Sequence, residues 1–457
     1  MKIARAKRIV GEIGDIPADK SISHRCAIFA LLAKKPSEIG NFLCAKDTLS
    51  TLNIAKELGL EVRAKDSKTM LFIPPKERIK EPSGVLDCGN AGTAMRLYTG
   101  LLAGVRGHFV LSGDKYLNNR PMKRVIEPLQ KCGAKISARA NGELAPIAIE
   151  GSALRGFCYQ SPIASAQVKS AMLLAGLFAG ESSVFTEPTL SRNHTEILLQ
   201  NMGADIRVEA REAQINQRQS RMQASQTQAG RIGADGAGKN STACVGKILI
   251  SPLDTPLNPL VLDIPSDPSS AFFFAVAATL LPRSHIVLKN ILLNPTRIEG
   301  FEVLKKMGAK ITYTLTQTAP EAIGDISVES SALTGIEVSE NIPWLIDEIP
   351  ALSIAFACAR GKSMIKNAKE LRVKESDRIY AIAHNLAKMG IEVEELDDGF
   401  TITGGELKSA QVSSFGDHRI AMSFAIAGLL CGVEIEDFDC VGISFPNFLE
   451  ILHRIQH

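Results

Sequence analysis

A short pattern that ends one element and starts the next recurs along the chain, and it limits the possible folds more than any other feature. It reads Ala55-Lys-Glu-Leu-Gly-Leu-Glu-Val, Leu129-Gln-Lys-Cys-Gly-Ala-Lys-Ile, Leu199-Gln-Asn-Met-Gly-Ala-Asp-Ile, Leu304-Lys-Lys-Met-Gly-Ala-Lys-Ile and Leu386-Ala-Lys-Met-Gly-Ile-Glu-Val. In each copy apolar residues at helical spacing stop at a glycine, which can take the left-handed conformation that closes a helix, and strand alternation follows. Upstream lies a second repeated piece, a small-residue apolar helix followed by a turn and a strand. Its copies begin near Ser23, Thr93, Ser165, Ser269, Ile349 and His418, which are 70, 72, 104, 80 and 69 residues apart. The module therefore reads strand, helix, strand, helix, strand, strand, a βαβαββ-type unit present six times and closing with a helix from Phe448 to Ile455.

Six copies of this size predict an α/β protein of two domains with three modules each. Modules one to three are expected over 18–259, and modules four to six over 1–17 plus 260–457. The proline-punctuated passage from Pro252 to Pro265 marks one crossing between them. The long interval holds a stretch rich in Gln, Ser, Ala and Gly, and 211–243 is expected to be a flexible insertion. A net charge of +3 gives no electrostatic case for nucleic acid or an anionic membrane. The apolar runs are too short to span a bilayer, no signal segment is recognisable, and the nine cysteines never form Cys-x-x-Cys. A cytoplasmic protein with reduced thiols is expected.

The chemistry collects where the first helices begin. These starts read Asp19-Lys-Ser-Ile-Ser-His-Arg25, Asp87-Cys-Gly-Asn-Ala-Gly-Thr-Ala-Met-Arg96, Ser165-Ala-Gln-Val-Lys169, Asp267-Pro-Ser-Ser270, Asp347-Glu348 and Gly416-Asp-His-Arg419. Capping explains Ser and Asp at such positions. It does not explain Lys20, Arg25, Lys169 or Arg419, because the helix dipole disfavours a cation there unless an anion compensates. The six starts are expected to face a shared cleft as an anion trap, the alternative for each cation being a solvated arm. Turns before the second helices add Arg120, Arg192, His194, Arg297 and the run Arg372-Val-Lys-Glu-Ser-Asp-Arg378. Arg120 and Arg378 are credible forks for carboxylate or phosphate. For Arg297 and His194 structural hydrogen bonding is an equal reading, and Lys374 to Arg378 also suits a salt-bridged turn. Asp347 and Glu375 are the acid and base candidates, with a simple helix cap as the alternative for Asp347.

These motifs, in this order and over essentially the whole chain, resemble the EPSP synthase family of 3-phosphoshikimate 1-carboxyvinyltransferases. Ser165-Ala-Gln-Val-Lys169, Arg192-Asn-His-Thr-Glu196 and Asn294-Pro-Thr-Arg297 look like its class II subgroup. The resemblance implies an inside-out α/β barrel of two domains. It also implies transfer of the enolpyruvyl group of phosphoenolpyruvate to the 5-hydroxyl of shikimate 3-phosphate through a tetrahedral intermediate, with no cofactor or metal and with the chain a monomer. By the same resemblance Lys20, Ser21, Arg25, Ser165, Ala166, Gln167, Arg192, Asp347 and Lys374 would hold shikimate 3-phosphate. Lys20, Gly92, Arg120, Gln167, Arg378 and Arg419 would hold phosphoenolpyruvate. Asp347, Glu375 and Lys20 would be catalytic, with Asp347 the base for the attacking hydroxyl and Glu375 the proton carrier to the methylene carbon.

The chain departs from the pattern at three places, the first being the position associated with inhibitor tolerance, which holds Gly92 and not alanine. Ile443 precedes Ser444-Phe445-Pro446 where many class I members carry a lysine for phosphoenolpyruvate, and Ala18 precedes Asp19 where class II members usually have glycine. Two competing functions share the fold. A transferase acting on UDP-N-acetylglucosamine would carry a cysteine on its mobile loop, and the stretch from Gly113 to Met122 has none. A non-catalytic phosphate or RNA binder would need stacking residues, and aromatic residues make up only 5% of the chain.

Overall fold

The computed structural model describes residues 1–209 and 246–457, so the insertion expected over 211–243 lies outside the described residues. The chain forms two compact units. A terminal unit comprises Met1–Lys20, Leu43–Lys46 and Pro265–His457, and a central unit comprises Ser21–Phe42 and Asp47–Ile264.

One module shows the plan. In the central unit a strand at Leu86–Asp87 leads into the helix Gly92–Ala103, and the strand His108–Ser112 returns parallel to the first. The helix Lys123–Lys131 follows, then strands Lys135–Arg139 and Leu144–Glu150, the second of which inserts antiparallel between its partner and His108–Ser112. The third module repeats this order with strands Cys158–Gln160, Ser183–Glu187, Gly246–Ile250 and Ile206–Glu209. The fifth repeats it in the terminal unit with Glu337–Val338, Lys362–Ile365, Gly399–Thr403 and Glu392–Leu396.

The first and fourth modules take their leading strands from far along the chain. Ser37–Gly40 pairs in parallel with Val261–Asp263, and His285–Leu292 pairs in parallel with Val10–Ile13. The sixth sheet has three strands, with Lys2–Ile3 lying antiparallel to Val433–Glu436 in the place that an internal strand fills elsewhere. Among the described residues this gives six small sheets in the α/β arrangement that the repeat predicts, with helices inside.

Burial explains why the helices lie inside. In Pro268–Leu280 every residue except Ser270 and Leu280 is buried, and in Ile349–Cys358 every residue except Cys358. A helix apolar on all faces has to be surrounded, and these two pack on each other and on His418–Cys431. The second helices are amphipathic by contrast. Phe448–Ile455 buries only Phe448, Ile451, Leu452 and Ile455, one stripe at helical spacing.

The glycines that end the repeated pattern all lie in the left-handed region, with φ of +107° at Gly59, +99° at Gly133, +90° at Gly203, +113° at Gly308 and +81° at Gly390. A different constraint acts at Gly100. A Cβ there would lie 2.2 to 2.6 Å from backbone atoms of Ala171, so the helices Gly92–Ala103 and Ala166–Gly176 meet backbone to backbone. Denaturant unfolding should separate the two kinds of glycine. Gly133→Ala, where a Cβ meets only ordinary contacts, should cost about 1 kcal/mol. Gly100→Ala should cost about 3 kcal/mol or more, because two helices must move apart. Equal losses would contradict the close approach.

Candidate active site

In the terminal unit two buried guanidinium groups organise the polar residues. Arg378 opens the helix Arg378–Lys388, where a cation is unfavourable, and three carboxylates compensate. Its Nε donates to Asp417 at 2.8 Å, Nη2 to Glu375 at 2.7 Å, and Nη1 to Asp347 at 3.4 Å and the Ile346 carbonyl at 3.2 Å. Burial works against this charge, but Asp417, Glu375 and Asp347 outweigh it and hold its pKa above the ordinary arginine value. Arg419 approaches the same Asp347 carboxylate, with Nε 3.2 Å from Oδ1. Asp347 therefore lies between two guanidinium groups and keeps a side chain 22% exposed. It is not the cap of the helix Ile349–Cys358, whose N-cap is Glu348. Lys374 pairs with Glu370 at 3.3 Å.

His418 begins the next helix beside this group and is 4% exposed. Burial pulls its pKa down to about 4, and the charges of Lys20 and Arg419 add to the effect, while Asp417 and Glu375 oppose it. The structure thus gathers Asp347, Glu375, Arg378, Arg419 and Lys20. Asp417 joins them as the residue that both caps its helix, accepting from the Arg419 amide at 2.8 Å, and anchors Arg378.

Arg297 is the second hub, 1% exposed. Nη1 donates to Asp19, and Nη2 donates to Asp267 at 2.9 Å and to Ser269 Oγ at 3.1 Å. Asp267 caps its own helix through the Ser269 amide at 2.8 Å and also accepts from the Lys20 amide at 3.1 Å. Ser269 Oγ donates to Glu348. Of the two readings for Arg297, structural hydrogen bonding is the one its geometry fits.

In the central unit the turn before Gly92–Ala103 carries no side-chain cap. Beside it Arg120 Nη2 donates to Asn90 Oδ1 at 3.0 Å, and Asn90 in turn donates to Asp114 at 2.7 Å. Arg96 Nη1 donates to Gln167 Oε1 at 2.7 Å, and Gln167 Nε2 to Thr93 Oγ1 at 3.1 Å. A Cβ on Gly92 would lie 2.8 Å from Arg96 Nη1 and 3.2 Å from Arg120 Nη1, so this glycine makes room for both forks. Gly92, Arg120 and Gln167 are brought together as expected from the motifs. Asn90 and Arg96, their links, stand in the same helix-start motif but are given no role of their own by the sequence.

Ser165 caps the helix Ala166–Gly176, and Ser165, Ala166 and Gln167 are half-buried at its start, as are Ser21 at the start of Lys20–Phe29 and Arg192 in the turn before His194–Asn201. Arg25 is 3% exposed and cross-links helices through Thr195 at 2.7 Å, Ser170 at 2.9 Å and the Ser21 carbonyl at 2.9 Å. Lys169 is completely buried against Glu187 at 2.9 Å and Glu196 at 2.8 Å. The anion that its place near a helix start requires is thus supplied by the protein, which removes Lys169 from the anion trap. Among the described residues no group of three or more His, Cys, Asp or Glu could hold a metal, and no helix is long and apolar enough to cross a membrane.

Comparison with known proteins shows what the chain as a whole is similar to. A family model described as EPSP synthase (3-phosphoshikimate 1-carboxyvinyltransferase) matches residues 3–235 and 238–452. The chain is 54% identical to the 3-phosphoshikimate 1-carboxyvinyltransferase of a Nitratiruptor species, over all of this chain and 98% of that one. It is likewise 54% identical to the protein of that name from Campylobacter jejuni serotype O:6, over all of this chain and 99% of the other. Among solved structures it is similar to EPSP synthase from Acinetobacter baumannii, with TM-score 0.81 and 34% identity over 100% of this chain and 98% of that one. The enolpyruvyl transferase NikO from Streptomyces tendae, 14% identical with TM-score 0.72 over 99% of this chain and 96% of that one, shares the fold.

The buried His418 generates a pH prediction. Its folded value of about 4 lies below the ordinary 6.5, so the unfolded chain binds the proton first. Its contribution is complete above pH 6.5 and is lost as pH falls toward 4, by up to about 1.4 kcal/mol per unit. Denaturant unfolding at pH 7, 6 and 5 should show wild type losing more stability than His418→Gln. Parallel losses would refute this.

Proposed function

The chain belongs to the EPSP synthase family, and on that footing we propose how its residues divide the family's reaction. It transfers the enolpyruvyl group of phosphoenolpyruvate to the 5-hydroxyl of shikimate 3-phosphate, releasing phosphate, in the shikimate pathway to aromatic amino acids. Two steps balance it. The hydroxyl oxygen adds to C2 of phosphoenolpyruvate as the hydroxyl loses its proton and the methylene carbon gains one. The resulting methyl group then gives up a proton as phosphate leaves. The two substrates supply every atom, and the chain is proposed to work without a cofactor, as a monomer in the cytoplasm.

In this reading Asp347 takes the hydroxyl proton and Glu375 carries the proton to and from the methylene carbon. Arg120, Arg378 and Arg419, with Gln167, Lys20 and the Gly92 backbone, hold phosphoenolpyruvate. Ser21, Arg25, Ser165, Ala166, Gln167, Arg192, Lys374 and Lys20, with Asp347, hold shikimate 3-phosphate. The observation that carries the assignment is the shared pairing in the terminal unit, where Arg378 holds both Asp347 and Glu375 and Arg419 reaches Asp347 as well. A carboxylate between two guanidinium groups is a weak base. An incoming anion that draws on Arg378 or Arg419 takes over part of that pairing and leaves Asp347 the stronger base. Cations placed beforehand stabilise developing charge without reorganising at the moment of reaction, and fixed partners supply much of the remaining rate.

The direct test incubates purified protein with both substrates and measures phosphate release together with enolpyruvyl product. Turnover of UDP-N-acetylglucosamine in place of shikimate 3-phosphate would overturn the reading. Steady-state kinetics should show Arg120→Ala raising the KM for phosphoenolpyruvate by about tenfold or more while that for shikimate 3-phosphate stays within about twofold. Asp347→Asn and Glu375→Gln should each lower kcat by about 10²- to 10⁴-fold, and wild-type turnover in either would remove that residue from its role.

A further inference from the structure

Arg297 takes no part in the assignments above, yet it is among the largest fully buried side chains of the protein. The groups it touches lead in two directions. Toward Lys20, it donates to Asp19, the preceding residue, and to Asp267, which accepts from the Lys20 amide at 3.1 Å. Toward Asp347, it donates at 3.1 Å to Ser269 Oγ, and Ser269 donates to Glu348, the next residue after Asp347. Every member is nearly out of water, with Asp19 fully buried, Ser269, Glu348 and Arg297 each 1% exposed and Asp267 4% exposed.

Glu348 has little freedom. A Cβ on Gly300 would lie 3.1 Å from both Cβ and Cγ of Glu348, so the helix Glu299–Met307 presses against that side chain. Ser269 is fixed too, because its amide is held by the Asp267 carboxylate at 2.8 Å. Such a relay allows one arrangement. A planar guanidinium has a fixed set of donor directions, and a lysine in its place could not reproduce two forks at once.

We infer that Arg297, Ser269 and Glu348 form a positioning relay that sets Asp347 for proton transfer and Lys20 for substrate, acting through these residues without touching substrate. The inference rests on the reading of Asp347 as the base. Holding a reacting group within a fraction of an ångström matters to rate, since a displacement of about 1 Å can cost on the order of a hundredfold.

The experiment is a double-mutant cycle on the full chain, with the two substrates as probes. Ser269→Ala, which cuts the link between Arg297 and Glu348, should lower kcat about tenfold while both KM values stay within about twofold, and Ser269→Thr, which keeps the hydroxyl, should restore turnover. In the Asp347→Asn background the same Ser269→Ala change should have no further effect on kcat, because the relay acts through Asp347. Should Ser269→Ala not accumulate folded, Glu348→Ala takes its place with the same expectations and Glu348→Gln as the conservative control. A loss of thermal stability at unchanged kcat would overturn the relay and leave Asp347 as the base, and so would losses that multiply in the double variant. Wild-type kcat in Asp347→Asn would overturn both.

Discussion

Charge held out of water is the constraint around which the terminal unit is built. A guanidinium stripped of its hydration is costly unless carboxylates with good geometry replace the water, and removing one partner leaves the others stranded. Arg297 and Arg378, each 1% exposed, meet this requirement in different ways. Arg297 is bound to acids nearly as buried as itself, so its network is closed. Arg378 has one fully buried partner, Asp417, and two partly exposed ones, Asp347 and Glu375. The closed network suits a fixed frame. The open one leaves two carboxylates within reach of solvent.

The central unit shows the same economy with other residues. Lys169 lies close to a helix start, where the dipole repels it, and two buried glutamates hold it there. Burial opposes the lysine's charge, yet Glu187 and Glu196 keep it protonated beyond the ordinary lysine range. Arg25 does comparable work with neutral groups, tying the helix Lys20–Phe29 to Ser170 and Thr195. Gly92 contributes by what it lacks, since a Cβ there would push on the guanidinium groups of Arg96 and Arg120.

Much of the fold was legible because the module is repeated. One Gly-capped helix end means little, but five at similar intervals specify a unit, and all five glycines take the left-handed backbone that the pattern requires. The exchange of leading strands was less accessible. Val261–Asp263 and Val10–Ile13 are short, and nothing local in them says which sheet they complete. At the site, residue type and place at a helix start were enough to single out Asp347, Glu375, Arg378 and Arg419, which the fold brings together. They could not separate a cation awaiting a ligand from one already neutralised, as Lys169 and Arg297 are, because the neutralising acids are distant in sequence. Glu187 and Asp19 announce themselves only once helices pack.

The borrowed strands impose an order on biosynthesis. The sheet that begins with Ser37–Gly40 cannot be completed until Val261–Asp263 has left the ribosome, after which the central unit has all its parts. The terminal unit must wait longer, because Lys2–Ile3 finds its neighbour only at Val433–Glu436. Val10–Ile13 meets its partner earlier, at His285–Leu292, so the wait for the last sheet falls on Lys2–Ile3. Lys2–Ile3 is an edge strand of its sheet, and the exposed basic residues Lys2, Arg5, Lys7 and Arg8 in and after it are the kind of charge that discourages a strand edge from pairing with another chain.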